Sequence, residues 1–424
     1  MKHVVVLLLG LMVALPVFSR AASRDVDAKA LLASAKFAQA RAALDRDYDR
    51  TIDDLVALTE IPAPPFKEQA RAQAYLTLLK AHGLSDAELD AEGNAMGLRR
   101  GTGGGPLIVV AAHLDTVFPE DTPIKVTREG NTLLAPGIGD DTSGLSALLA
   151  YLRAMDAAGY RHKADILFVG NVGEEGPGNL RGVRHLFTQG KYKDRISAFI
   201  SYEPGRAGRI TNGGVGSLRY QVSFTGPGGH SYGSFGLVNP AYAMGQAISG
   251  MGRLQVPKSP KTTYNVGVLE GGTSVNSIPH TVAMTVDMRS AGKQELEQLR
   301  SDFLALLQPA VAAENAARDT KEGKVAFEAK LMGDRPVGRT AEDTDLVQIA
   351  RAVAQAGGKE VKLGASSTDA NLPMSLGIPA ITLGSGFDSR RSHSLDESVA
   401  LDKPVDVENL SLALASLLLL SGAE

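Results

Sequence analysis

Four short apolar runs along the chain predict strands that are buried on both faces of a sheet. They cover residues 107–112, 164–172, 196–202 and 379–384. Unbroken apolar runs of this length, without polar alternation, are typical of a parallel sheet that helices cover on both sides. A strong helical pattern at residues 143–157 lies between the first two runs. The pattern therefore predicts an α/β fold.

Side chains that can bind a metal ion or a proton stand where these runs end. In chain order they are His113, Asp115, Glu174, Glu175, Glu203 and His393. A further acid, Asp140, lies between glycines just before the helical pattern at residues 143–157. Ligands of open α/β sheets bind outside the carboxyl ends of the strands, so these side chains are expected to form one site. His113 and Asp115 share one side of their strand, where both can hold a metal ion or one can orient the other.

The N-terminal segment predicts a secretory signal peptide over residues 1–21. An apolar run at residues 4–18 follows Lys2, and the small residues Ser19 and Ala21 suit a signal peptidase. The run is short for a membrane span and is broken by Gly10 and Pro16, which makes a retained anchor the weaker alternative. We therefore expect an exported protein, periplasmic or secreted, with no membrane association after cleavage.

Composition excludes several further classes of protein. The chain has no cysteine, which rules out disulfides and a lipid-anchored lipoprotein. Its formal net charge is −3, and removal of Lys2 and Arg20 with the signal peptide leaves 42 basic and 47 acidic residues, or −5. This mild acidity argues against nucleic acid as the partner.

The length predicts two domains, because the mature chain is too long for one ordinary core. Helical patterns at residues 25–61 and 67–82 precede the first buried strand. We place the catalytic domain at residues 22–212 and 332–424, with a second unit inserted at residues 213–331. The inserted unit reads as strand 217–225, helix 240–254, strands 262–270 and 280–289, helix 293–318 and strand 324–330. This βαββαβ order is that of a two-layer domain whose helices cover one sheet face and leave the other to a partner or to solvent.

The motifs along the chain resemble one family of hydrolases. They are HLDTV at 113–117, GDDTSG at 139–144, GEEG at 173–176, Glu203, GHS at 229–231, DMR at 287–289 and SHS at 392–394. This set, in this order, is similar to that of the dinuclear-zinc exopeptidases and amidohydrolases. The family includes glutamate carboxypeptidase, tripeptidase T, acetylornithine deacetylase, succinyl-diaminopimelate desuccinylase and aminoacylase-1. The resemblance implies a zinc-exopeptidase-like mixed sheet sandwiched by helices, with an inserted ferredoxin-like lid and dimerisation domain.

The resemblance also implies how the acids and histidines share two zinc ions per chain, for which Co²⁺ or Mn²⁺ could substitute. Asp140 would bridge the two ions. His113 and Glu203 would complete one site, and Glu175 and His393 would complete the other.

Other residues receive roles close to the metals from the same resemblance. Asp115 would hold the second ring nitrogen of His113, and Glu174 would be the general base. His230 would reach a neighbouring subunit's site and help to hold the carbonyl oxyanion. A cis peptide is expected after Asp140. A nucleophilic pair of Ser231 and His230 is disfavoured, because adjacent residues rarely face each other productively.

Substrate contacts are the least specific part of the resemblance. Asn276 and Arg289 fall where the family often places them, and Arg335 lies in a stretch similar to the carboxylate-binding stretch of glutamate carboxypeptidase. The alternative for both arginines is a surface salt bridge. Residues 367–369 resemble a substrate-side loop without a role that can be derived from the sequence.

These residues fit one type of chemistry, the hydrolysis of amides. Two metal ions that share a carboxylate can activate a water and polarise a carbonyl, and a nearby carboxylate can move the proton to the leaving nitrogen. We expect an exported hydrolase of short peptides or N-acyl amino acids, working as a carboxypeptidase of the glutamate carboxypeptidase type and as a homodimer through the lid. The alternatives are a tripeptidase or aminopeptidase and an N-acyl-amino-acid deacylase. Outside the enzymes, a metal-free binding protein on the same scaffold is disfavoured, since every ligand position is filled.

Overall fold

The computed structural model describes residues 17–424, with side chains from residue 23 onwards. The predicted signal peptide at residues 1–21 therefore lies, up to residue 16, outside the described residues. The helices are α1 (Val17–Ala33), α2 (Ala35–Arg46), α3 (Tyr48–Thr59), α4 (Gln69–Ala81), α5 (Thr142–Ala157), α6 (Arg181–Thr188), α7 (Pro240–Met251), α8 (Lys293–Ala317), α9 (Asp345–Ala356), α10 (Asn371–Ser375) and α11 (Lys403–Ser421).

The strands alternate with these helices along the chain. They are β1 (Ser85–Leu89), β2 (Ala95–Arg99), β3 (Leu107–His113), β4 (Thr127–Glu129), β5 (Thr132–Leu134), β6 (Asp165–Asn171), β7 (Ile196–Glu203), β8 (Arg209–Gly214), β9 (Gly216–Thr225), β10 (Gly229–His230), β11 (Thr262–Gly271), β12 (Ser277–Ile278), β13 (Thr281–Ser290), β14 (Ala326–Arg335), β15 (Gly338–Arg339), β16 (Lys362–Ser366), β17 (Ala380–Gly384), β18 (Asp388–Arg390) and β19 (Ser398–Ala400).

The large sheet confirms the predicted α/β fold. Its order is β1-β2-β6-β3-β7-β17-β8-β15, with β16 paired to β8. The four strands predicted from apolar runs, β6, β3, β7 and β17, are adjacent and parallel, so their carboxyl ends meet at one edge. Alternate residues of β3 pack into two hydrophobic clusters on opposite sheet faces, one with α2–α5, α9 and α11, the other with α6 and α10. Helices therefore sandwich the sheet, as the unbroken apolar runs required.

The inserted unit has its own core and an antiparallel sheet of order β11-β13-β9-β14. Its elements follow the expected βαββαβ order, and α7 and α8 pack on one face of the sheet. Polar residues such as Arg219, Asp287 and Arg289 occupy the other face, and all three are partly exposed. Strand β14 continues to Arg335, past the expected boundary at residue 331. Arg335 is therefore the last residue of β14, a strand of the lid sheet.

Two parts of the fold differ from the sequence pattern. The helical stretch at residues 25–61 is three helices, because Ser34 and Asp47 interrupt it; the Ser34 hydroxyl accepts the Phe37 N–H and caps α2. A small sheet of order β18-β19-β5-β4 was not predicted, since strands of three residues are too short to show a period. This sheet flanks the loop that carries His393.

Helix α11 is mostly apolar from Leu410 to Leu420. By length and hydropathy it could cross a membrane, yet 72% of its apolar window is buried inside the structure. It packs against α9, α2 and α5 as a core helix.

Candidate active site

Asp140 lies at the centre of the site and separates two histidines. Its Oδ1 is 2.9 Å from His113 Nε2, and its Oδ2 is 3.3 Å from His393 Nε2. Each histidine has a glutamate on the same side: Glu203 Oε2 is 3.8 Å from His113 Nε2, and Glu175 Oε1 is 2.8 Å from His393 Nε2. The structure therefore brings together all five predicted metal ligands, arranged as one histidine and one glutamate on each side of a shared carboxylate.

The ends of the central strands position these ligands. His113 ends β3 and Glu203 ends β7, and the two strands are parallel neighbours. Glu175 follows β6 after a short turn, and His393 lies in the loop between β18 and β19. His393 has a positive φ of 66°, an uncommon conformation that turns the loop at this residue.

A buried acid that sequence reasoning missed holds the turn that presents Asp140. The carboxylate of Glu397 accepts the backbone N–H groups of Gly137 at 3.1 Å, Gly139 at 2.8 Å and Asp140 at 2.7 Å. Burial raises the pKa of the Glu397 carboxyl to about 7, although these hydrogen bonds lower it. The signal in the sequence was an acid four residues after His393, but only the fold shows which backbone it contacts.

The two acids of the GDDTSG stretch have different tasks. The expected cis peptide joins Asp140 and Asp141. Asp141 caps α5, because its Oδ1 accepts the Gly144 N–H at 3.1 Å and its Oδ2 accepts the His113 N–H at 3.1 Å. Ligand atoms of Asp141, His113 and Glu203 also lie within 4.8 Å of one another, so by distance alone Asp141 could hold an ion together with these two residues. Since both of its oxygens already accept backbone N–H groups, we assign it to the scaffold and Asp140 to the metals.

The residues present fit a pair of divalent ions. His113, Asp140 and Glu175 offer ligand atoms that lie within 4.8 Å of one another. Imidazole nitrogens with carboxylate oxygens form the donor set that zinc accepts, and manganese or cobalt tolerate it. Without a metal these groups share protons. Hydrogen bonds that His393 donates to Asp140 and Glu175 raise its pKa to about 10. Burial alone lowers the pKa of His113, but Asp140 and Glu203 raise it well above its usual value.

The predicted contact of Asp115 with the ring of His113 is corrected by the structure. The Nδ1 atom of His113 lies 2.9 Å from the backbone oxygen of Asp115 and 3.8 Å from its carboxylate. The carboxylate instead accepts the N–H groups of Glu174 at 2.9 Å and Glu175 at 2.7 Å. The physical reason is that two converging N–H donors satisfy a buried carboxylate better than one distant ring nitrogen. Asp115 therefore fixes the turn that carries the base and a ligand.

Glu174 is buried beside the ligands and holds a cation. Its Oε1 accepts a hydrogen bond from Arg335 Nη1 at 3.0 Å, and Arg335 Nη2 donates to the backbone oxygen of Glu174. Arg335 also reaches the Ser367 hydroxyl at 3.2 Å and is 5% exposed. Arg335 was predicted to bind a substrate carboxylate; in the structure its partner is the carboxylate of Glu174, and the substrate contact stays a prediction. Burial raises the pKa of Glu174, while Arg335 lowers it and Glu175 raises it.

Asp369, in the loop without a derived role, is a further buried acid near Glu174. It is fully buried, and its Oδ2 accepts the Asn171 side-chain N–H at 2.7 Å. Its Oδ1 has no hydrogen-bond partner among the described residues. Burial and the charge of Glu174 raise the pKa of Asp369 to about 8.

A cavity of about 570 Å³ connects the ligands to a group of cations. It is lined on one side by Asp140, Glu174 and Glu203, and the arginines on its other walls are Arg206, Arg209, Arg219, Arg289 and Arg335. Arg289 was predicted from the sequence, and in the structure it contacts Asp287 at 2.7 Å. Arg206 and Arg209 were missed, because nothing distinguishes them in the sequence from surface arginines.

His230 and Asn276 are not brought to this cavity within the described part of the chain. His230 ends the short strand β10 and is exposed, and its Nδ1 accepts the N–H groups of Tyr232 at 3.2 Å and Gly233 at 3.3 Å. That arrangement leaves the ring proton on Nε2, which can donate outwards. Asn276 is exposed next to the paired strand β12 and accepts a hydrogen bond from the Ser274 hydroxyl.

The fold and the ligand set together define a metal-dependent hydrolase of peptide or other linear amide bonds. The model of Peptidase family M20/M25/M40 matches residues 109–419, and the chain belongs to this family. It is 25% identical over 329 residues to the succinyl-diaminopimelate desuccinylase of Psychrobacter arcticus, covering 74% of this chain and 78% of that protein. It is 26% identical over 211 residues to carboxypeptidase G2 of a Pseudomonas species, covering 48% of this chain and 49% of that enzyme.

Solved structures show the same fold. A tripeptidase from Staphylococcus aureus superposes with a TM-score of 0.72 at 19% identity, covering 88% of this chain and 98% of that one. A structure of a Bacillus subtilis protein, described as a dinuclear metal-binding peptidase of the M20 family, matches with a TM-score of 0.63 at 16% identity, over 88% of this chain and 99% of that one. The predicted family and fold class are therefore confirmed.

Proposed function

We propose that this protein is an exported two-zinc hydrolase that removes a C-terminal amino acid by cleaving the amide next to its free carboxylate. The observation that carries the proposal is the shared carboxylate of Asp140, whose two oxygens face one histidine each. The export of the chain rests on the signal pattern at residues 1–21.

The residues of the site divide the reaction between them. His113, Asp140 and Glu203 would hold one ion, and Asp140 with Glu175 and His393 the other. When bound, the two ions supply an acidified water and polarise the scissile carbonyl. Glu174 takes the proton of that water and gives it to the leaving nitrogen. The burial that raises its pKa helps this carboxyl to hold the proton between the two steps.

Recognition of the free carboxylate falls to the lid arginines. Arg289 and Arg335 pair with the same residue, Ser217, from opposite sides of β9, so they flank one point of the lid sheet. A substrate carboxylate that takes the place of Glu174 on Arg335 would bind the substrate and release the base in one exchange. Arginine suits this exchange, because its planar guanidinium can donate two parallel hydrogen bonds to either carboxylate.

The lid supports a homodimer, which stays a proposal. Strand β11 lies at the end of the lid sheet, with Leu269 59% exposed, and edges of this kind pair readily with another chain. In the loop after His230, Tyr232 is 89% and Phe235 is 83% exposed. These apolar side chains are exposed, and His230 beside them lies away from the cavity of its own chain. Both features fit a loop that enters the cleft of a second copy.

A second candidate is an N-acyl-amino-acid deacylase. The similarity to a succinyl-diaminopimelate desuccinylase over 74% of this chain favours it. Both candidates cleave an amide beside a free α-carboxylate, so they share the arginine site and differ in the acyl group that they accept.

A panel of free, N-acylated and C-amidated dipeptides tests the proposal. Losing a charge-assisted contact costs about 1.5–3 kcal/mol, so amidation of a good substrate should lower kcat/KM by at least about tenfold. N-acylation should be tolerated. Equal cleavage of amidated substrates together with refusal of N-acylated ones would instead identify an aminopeptidase.

A further inference from the structure

We infer that Ser143 and Ser385 are positioning residues of the metal centre. Their buried hydroxyl groups tie the turn that carries Asp140 to the strand end that carries Glu203. This connection, the hydroxyl link, runs from Ser385 through Ser143 to the backbone oxygen of Gly139. The inference deepens the proposed function and rests on it for the assignment of Asp140 and Glu203 to one ion.

Hydrogen-bond donors and acceptors give the hydroxyl link a direction. The Ser143 hydroxyl lies 2.6 Å from the backbone oxygen of Gly139, which can only accept, so Ser143 donates its single proton there. The Ser385 hydroxyl lies 2.9 Å from the Ser143 hydroxyl oxygen and must therefore be the donor of that bond. Both serines are fully buried, and each hydroxyl proton has its acceptor within the link. The two serines therefore form one ordered connection.

One end of the hydroxyl link fixes the peptide that leads into Asp140. Gly139 supplies the carbonyl of this peptide, and Asp140 supplies its N–H, which donates to the Glu397 carboxylate at 2.7 Å. The carbonyl and the N–H of a trans peptide point in opposite directions, so Ser143 and Glu397 hold the peptide from two sides. Helix α5 does not need Ser143 as a cap, since Asp141 already caps it. The Ser143 hydroxyl therefore serves the turn of the shared ligand.

The other end of the hydroxyl link is fixed to Glu203. Ser385 directly follows β17, and its backbone N–H donates to the backbone oxygen of Glu203 at 2.7 Å. The Tyr151 hydroxyl, from α5, donates to the backbone oxygen of Ser385 at 3.3 Å and holds this residue from a second side. Ser385 thus contacts one ligand through its backbone and reaches the turn of Asp140 through its side chain.

The two sides of the metal centre differ in how far they depend on the hydroxyl link. On the Glu203 side, an ion would take its two carboxylates from the two segments that the link joins. On the other side, the carboxylate of Asp115 holds Glu175, and His393 lies in the loop between β18 and β19. Among residues 23–424, the link forms no direct hydrogen bond with either of these two ligands. Its loss should therefore loosen the ion beside Glu203 more than the ion beside Glu175.

The variant Ser385→Ala tests this difference, because it removes the hydroxyl link and keeps the backbone bond to Glu203. Calorimetric titration of metal-free protein with zinc measures each ion alone in a background that lacks one ligand of the other ion. In the Glu175→Gln background, Ser385→Ala should weaken zinc binding by about tenfold or more, the usual effect of removing a group that orients a ligand. In the Glu203→Gln background, it should change zinc binding by less than about twofold, as for groups without a shared contact.

Two further variants separate the hydroxyl link from packing. Adding Ser143→Ala to Ser385→Ala should weaken zinc binding by less than the product of the two single effects, because both changes break the same link. Ser416→Ala is the matched control, since Ser416 is also buried and its hydroxyl donates within α11 to the backbone oxygen of Leu412 at 3.2 Å. The control should leave zinc binding at its starting value in both backgrounds.

The inference is overturned if Ser385→Ala leaves zinc binding unchanged in the Glu175→Gln background, or if it weakens both ions equally. Thermal unfolding shows whether each variant folds. If Ser385→Ala does not, Ser143→Ala breaks the hydroxyl link from its other end and should again cause the larger loss beside Glu203.

Zinc binding without substrate separates failure of the hydroxyl link from failure of the proposed function. A selective loss of zinc affinity in a protein that cleaves no peptide or acyl amino acid would refute the proposed function and keep the link. Turnover by the wild-type enzyme, with no selective loss in Ser385→Ala, would do the reverse.

Discussion

The metal end and the lid end of this cleft are built in different ways. At the metal end, the five predicted ligands come from separate segments and lie around Asp140 with contacts of 2.8–3.8 Å, on strand ends and loops held by buried acids. At the lid end, His230 and Asn276 are exposed and their side chains form hydrogen bonds with nearby residues of their own loops, while Arg335, the last residue of β14, contacts Glu174. A parallel sheet brings the residues at its edge together by itself, whereas the two predicted lid residues His230 and Asn276 lie away from the cavity of their own chain.

The sharpest test at the metal end compares neighbouring glutamates. We expect Glu174→Gln to keep both metal ions and to lose kcat by about 10²-fold or more, because the proton acceptor is removed while the ligands remain. Steady-state kinetics with elemental analysis measures both properties. Glu175→Gln is the control and should lose metal; exchanged behaviour of the two variants would reverse the assignment of base and ligand.

Removing the carboxylate of Glu397, which holds the turn that carries Asp140, should give the next largest effect. Glu397→Ala should weaken metal affinity by about 10–100-fold, the cost usually seen when a group that orients a ligand is removed. Chelator competition measures the affinity, and thermal unfolding shows whether the fold survives. Asp396→Asn is the control, since Asp396 is exposed and its side chain pairs with Arg391 at the surface. Unchanged affinity in a folded Glu397→Ala protein would show that the turn holds Asp140 without the clamp.

The lid end is tested by mixing two inactive variants. In a dimer with His230 acting in trans, random exchange of His230→Ala and Glu174→Gln subunits should restore about a quarter of the wild-type activity, because half of the dimers are mixed and each has one complete site. The specific activity after co-refolding or subunit exchange gives the answer. A fully active monomer would place His230 outside the reaction and would leave the metal end as the whole site.

The smallest effect concerns protons at the metal end. In the metal-free protein the pKa of His393 is raised to about 10, and the pKa values of His113 and Glu203 are raised well above their usual values. Metal binding must displace the protons that these groups hold, so metal affinity should rise with pH and protons should leave as the ions bind. Calorimetry in buffers of different ionisation enthalpy counts them.

The raised pKa of His393 also determines how the stability of the metal-free protein depends on pH. A raised histidine pKa stabilises the fold fully below the unfolded value of about 6.5, and this stabilisation is lost as pH rises through the folded value, about 10 for His393. Thermal unfolding of the metal-free protein should therefore move to lower temperature between neutral and strongly alkaline pH. Stability that rises over this range would contradict the pairing of His393 with Glu175 and Asp140.

The sequence by itself determined the four central strands of the sheet, the helices beside them and the acids and histidines that meet at their ends. Apolar runs such as 107–112 are buried as strands between helices on both faces of a parallel sheet. The residues that follow these runs must therefore meet at the carboxyl edge of the sheet. For the same reason the βαββαβ order of the inserted unit could be read from alternating patterns without coordinates.

Only the tertiary structure decided which partner each polar group takes. Asp115 serves backbone N–H groups, Glu397 clamps a turn far away in sequence, and Arg335 contacts the base. Hydrogen bonds and charges act over a few ångströms between residues that lie hundreds of positions apart, so no local pattern records them. The physical reason is that burial follows a repeating period along the chain, whereas polar pairing depends on the three-dimensional positions of the groups.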